Sequence, residues 1–100
     1  MGADLYSGKR YFRDSYNGWN LLWHFNLSWW QDIGPLLAED ESLSPENAQK
    51  LLNMLDWHER EFVDSLVDDP EKDYFYGKYE KFRTFLLEAI KKDEPIICSI

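Results

Sequence analysis

The segment Tyr11-Phe12-Arg13-Asp14-Ser15-Tyr16-Asn17 sets hydroxyl, guanidinium, carboxylate, amide and aromatic groups side by side in one short stretch. That mixture suits a binding loop, in which rings supply contact area and polar groups fix orientation. Tyr11, Arg13, Asp14, Tyr16 and Asn17 are therefore candidate partner- or ligand-binding residues. Trp57 joins them as an aromatic at the edge of an apolar helix face, suited either to cover the core rim or to anchor a partner. A structural alternative pairs Arg13 with an acidic neighbour and uses the rings to staple the start of the next helix. If the segment binds, Arg13→Ala or Asp14→Ala should abolish partner capture and leave the fold largely intact.

His24 and His58 are the only histidines, and each has a carboxylate nearby in sequence, Asp32 for the first, Glu59 and Glu61 for the second. Two imidazoles and a carboxylate from facing helices could hold a divalent metal. The chain lacks HExxH and Glu-x-x-His spacing, and Trp57-His58-Glu59-Arg60-Glu61 has only one histidine of a metalloprotease pattern. His24 also lies on a polar line with Asn20, Ser28 and Gln31, as a hydrogen-bonded network on a buried helix would require. His24 and Ser28 stand four apart, yet no Gly-x-Ser-x-Gly elbow supplies the rest of an acyl-transfer site. No catalytic residue and no cofactor is assigned, and His24 and His58 stay weak metal candidates.

The elements that must position these groups read as helices. Trp19, Leu22, Trp23, Leu27 and Trp30 recur at steps of three and four, and Leu21, Phe25, Trp29 and Ile33 at every fourth position. Together they predict a buried, Trp-rich central helix from about residue 15 to 33, capped by Asp14 or Ser15 and stopped by a left-handed Gly34 before Pro35. Ser44-Pro45-Glu46 carries the start grammar of a second helix, over about 45–67, and Asp69-Pro70-Glu71 repeats it for a third, over about 71–92. Residues 1–13 are expected to be irregular, and Ile96-Ile97-Cys98-Ser99-Ile100 to form an apolar strap. The predicted fold is one all-α domain over 1–100, a compact helical bundle with its helical core at 14–94.

A net charge of −8 over 100 residues disfavours binding to nucleic acid phosphates or anionic membranes and favours a basic protein partner. The acids concentrate between Asp56 and Asp73, a face first solvated and second available for docking. Cys98 is alone, so no internal disulfide framework exists and a reducing, cytoplasmic setting is expected. No apolar run approaches the roughly 20 residues of a membrane span.

The strings MGADLY at Met1–Tyr6, YFRDSYN at Tyr11–Asn17 and LSWW at Leu27–Trp30 resemble a family of small bacterial and phage proteins for which no activity is established. The resemblance covers about the first third of the chain. It implies a longer charged segment ahead of YFRDSYN, where this chain has only Ser7 to Arg10.

The expected function is a non-enzymatic interaction or regulatory module in the cytoplasm, binding a protein through residues 11–17 and the acidic face; homodimerisation is compatible with it. Two alternatives are a small metal- or ligand-binding enzyme using His24 and His58, and an acidic phage-type mimic of nucleic acid.

Overall fold

A computed structural model describes all residues, Met1–Ile100. It overturns the all-α bundle: a four-stranded antiparallel sheet lies against a layer of helices. The strands are β1 (Gly2–Ser7), β2 (Arg10–Ser15), β3 (Ser42–Leu43) and β4 (Ile96–Ser99), ordered β2-β1-β4-β3.

The segment expected to be irregular is the hairpin β1–β2, paired from Gly2 opposite Ser15 to Ser7 opposite Arg10. Its two-residue turn places Gly8 at φ +60°, where a side chain would be strained. Alternation governs the strands: Ala3, Leu5, Ser7, Phe12 and Asp14 are buried, while Tyr6, Tyr11 and Arg13 are exposed. Small and polar members of the inward set hide that alternation from an apolar count. The C-terminal strap is in fact β4, an inner strand hydrogen-bonded to both β1 and β3, with Ile96 and Cys98 buried.

The long central helix does not form. Only the turn α1 (Leu21–His24) is α-helical, and the chain then breaks at Asn26, whose φ is +58°. Ser28 restarts it by accepting from the amides of Trp30 and Gln31, both at 3.3 Å, and a π-helical turn spans Trp29–Ile33. Gly34, at φ −48°, is right-handed and runs into a 3-10 turn at Gly34–Leu36. The apolar spacing was thus counted across two separate caps, which is why Trp19, Trp23 and Trp30 face outward while Leu21, Leu22, Phe25, Trp29 and Ile33 are buried.

The second predicted helix divides into α2 (Pro45–Trp57) and α3 (Glu59–Leu66) at His58. Ser44 Oγ caps α2 by accepting from the Asn47 amide at 3.1 Å, with Pro45 at the first helical position. The third is α4 (Lys72–Lys91). One core joins sheet and helices: Phe12 stacks on Phe82 at 4.6 Å between centroids, Phe25 on Phe62 at 4.3 Å, and Trp29 leans on Phe82 at 5.8 Å. No helix is long and apolar enough to cross a membrane.

Candidate functional site

β2 distributes the sequence candidates by its pleat. Tyr11 and Arg13 point to the open face of the sheet, where both bond the Asp4 carboxylate, Arg13 Nη1 at 2.7 and 2.8 Å from its two oxygens. Hydrogen bonds from Tyr11 and then Arg13 hold Asp4 below the usual carboxylate range. Exposed as it is, this pair contributes little to stability.

Asp14 points the other way and has 0% exposure. Its carboxylate accepts from the amides of Leu21 at 2.7 Å and Leu22 at 3.3 Å, from Trp29 Nε1 at 2.7 Å, and from Lys78 Nζ at 2.8 Å. Lys78, also buried, donates to the Trp19 carbonyl at 2.9 Å. One carboxylate therefore ties β2 to α1, to the π-helical turn and to α4. The expectation that Asp14→Ala spares the fold does not suit this environment. Lys78 is the charge this buried acid requires.

Past Asp14 the chain turns outward and forms one wall of a cleft of about 380 Å³, lined by Tyr16, Asn17, Asn20, Trp23, His24 and Asp69, with Gly18 between. Tyr16 is fixed by its hydroxyl donating to the Ile100 carbonyl at 3.3 Å and by its ring against Trp30 at 4.4 Å. Asn17 and Asn20 accept from the amides of Trp19 and Trp23 through their side-chain oxygens, at 3.0 and 3.1 Å. Both amide groups are thereby held in place. Asn20 caps α1, which sets Trp23 on the outside of its first turn, 69% exposed.

His24 closes the cleft floor. Its ring lies against Phe75 at 4.2 Å and edge-on to Trp23 at 5.1 Å, and Nδ1 is 2.7 Å from Ser65 Oγ. Burial pushes the imidazole below its ordinary value, opposed by the nearby carboxylates of Asp69 and Asp14, so it is neutral at pH 7. The Ser65–His24 contact has the length of a nucleophile–base pair but the wrong setting. Ser65 lies in the last turn of α3, where partial negative charge opposes an oxyanion.

His58 is elsewhere, at the α2–α3 junction, with Nδ1 3.7 Å from Glu61 Oε1. The histidines have different neighbours, and no group of three or more His, Cys, Asp or Glu side chains is placed to hold a metal ion. Trp57, 84% exposed at the end of α2, lines no cleft. Two further grooves, about 620 and 470 Å³, run between β2 and α4 along Tyr11, Phe12, Gly77 and Lys81.

No protein family, curated protein or solved structure matches the chain. The resemblance of its three strings accordingly brings no residue role with it. Asn20, Trp23 and Asp69 were not among the sequence candidates. The signals for them were the Asn20 capping position, three residues ahead of Trp23, and the Asp69-Pro70 turn ahead of α4.

Proposed function

We propose that this chain is a non-enzymatic binding module that holds a protein partner against the aromatic rim of the Tyr16–Trp23–Asp69 cleft. The observation that carries this reading is the outward placement of Trp23 and Trp30, 69% and 57% exposed, the first lining the cleft with Tyr16 and the second against the Tyr16 ring. Contiguous exposed aromatic surface marks interaction sites, and tryptophan and tyrosine dominate binding hot spots. Beyond the buried rings of His24 and Phe75, Trp19 and Tyr74 are exposed again, their rings 4.9 Å apart. Fixed side-chain amides beside these rings offer directional hydrogen bonds that cost little ordering on binding.

The partner is basic: the chain carries −8, and the α3–α4 turn with the start of α4 beside the cleft holds Asp68, Asp69, Glu71 and Asp73 against Lys72. An unpaired, buried Cys98 suits the cytoplasm as the place of action. Immobilised wild type and a Trp23→Ala/Trp30→Ala variant, exposed to the same cell lysate, test the reading. A protein retained by wild type and by Trp57→Ala but lost from the double variant is expected. Identical retention by all three contradicts it.

A further inference from the structure

Resting on that reading of the cleft, we propose that it is a cation pocket that receives the guanidinium of an arginine side chain of the partner. Three features converge there. Trp23, 69% exposed, and Tyr16 line the cleft, and a cation over an aromatic face is attracted by the ring quadrupole. Asp69 is the one formally charged side chain lining the cleft. Its Oδ1 accepts from the Glu71 amide at 2.7 Å, which orients the carboxylate and leaves Oδ2 without a partner in the chain. His24, with Nδ1 2.7 Å from Ser65 Oγ, has an Nε2 without a hydrogen-bond partner in the chain, and in the tautomer whose Nδ1–H donates to Ser65 this Nε2 is an acceptor.

Charge complementarity selects the occupant. Lys78 is already bound to Asp14 and to the Trp19 carbonyl, and no Lys or Arg of the chain, the neighbouring Lys72 included, forms an ion pair with Asp69. The carboxylates of Asp68, Glu71 and Asp73, all within four residues of Asp69, are exposed with Lys72 the one base among them, and add negative potential there. Arginine fits better than lysine because its planar group stacks on an indole while its fork of donors reaches a carboxylate and a ring nitrogen together. A point-charge ammonium meets only one of these at a time.

The test uses the full chain and a capped Gly-Gly-Arg-Gly-Gly peptide, with lysine and citrulline peptides of the same frame, citrulline keeping the shape and losing the charge. Binding is followed by tryptophan fluorescence. The arginine peptide is expected to bind at least about tenfold tighter than the citrulline peptide, and several-fold tighter than the lysine peptide. Asp69→Asn, which still caps Glu71, should remove most of the arginine advantage; Trp23→Ala should weaken the arginine peptide by about tenfold. Equal binding of arginine and citrulline, lysine matching arginine, or an arginine advantage untouched by Asp69→Asn would each overturn the assignment. Such a failure leaves rim-dependent protein capture standing, whereas capture indifferent to Trp23 and Trp30 defeats the wider reading.

Discussion

Replacing Lys78 with methionine keeps the aliphatic stem and removes the ammonium, leaving Asp14 with three donors, the amides of Leu21 and Leu22 and the Trp29 indole. The carboxylate has 0% exposure, so water cannot replace the lost charge without opening the core. Breaking one side of a buried ion pair costs about 3–5 kcal/mol, and three surviving hydrogen bonds place this case near the lower limit, about 3 kcal/mol. For a chain this size 1 kcal/mol corresponds to roughly 4–8 °C, so the melting temperature should fall by at least about 12 °C. Urea unfolding followed by tryptophan fluorescence measures the loss directly, with an unchanged slope showing that the unfolded chain is the same. Adding Asp14→Asn should cost less than the sum of the single changes, because the carboxylate that needed Lys78 is then gone. A Lys78→Met loss below about 1 kcal/mol, or strict additivity in the double variant, would refute the buried-pair argument.

Gly2→Ala should destabilise by about 1–3 kcal/mol in thermal melts, because a Cβ there would come 2.5 Å from the Asp14 carbonyl oxygen, which the β1–β2 pairing prevents from moving. Burial pushes the Cys98 thiol up to about 12, so at about pH 8 only on the order of one in ten thousand is thiolate and a disulfide reagent should label it only at the rate of unfolding. Rapid labelling of the native chain would contradict its burial. The folded-state value of His24 lies below the ordinary 6.5, so the native state binds fewer protons than the unfolded chain in that window. Stability should therefore be fully present above about pH 7 and fall as pH drops through 6.5 towards the folded value, by up to about 1.4 kcal/mol per pH unit, relative to a His24→Gln variant. Parallel curves for the two proteins would contradict a depressed value.

The helix starts were legible to within a residue: Ser44-Pro45-Glu46 opens α2 with a serine cap, and Asp69-Pro70-Glu71 precedes α4, whose N-cap Glu71 makes no side-chain cap bond. Periodicity misled where two short turns happened to keep helical spacing. Asn26 tolerates a positive φ better than most residues, and Ser28 caps the turn after it, but neither interrupts an apolar count over Trp19–Trp30. The hairpin was hidden for the opposite reason. Its inward positions include Ser7 and Asp14, polar groups whose partners, the Pro95 carbonyl and Lys78, lie at the other end of the sequence. The candidate site was half visible: Tyr16 and Asn17 reach the cleft, while Asp14 serves the core and Arg13 the open sheet face. The other half depends on α1 and the α3–α4 turn meeting in space, which no local pattern encodes.

Where a basic ligand sits distinguishes the cleft from the groove between β2 and α4 most directly. Two-dimensional NMR of the backbone amide and indole N–H resonances, during titration with the arginine pentapeptide, reports that location residue by residue. Shifts centred on the Trp23 indole, His24, Asn17, Asn20 and Asp69, with β2 and α4 undisturbed, are the predicted result. Shifts centred instead on Arg10, Phe12, Lys81 and Phe85, along the groove between β2 and α4, would contradict it.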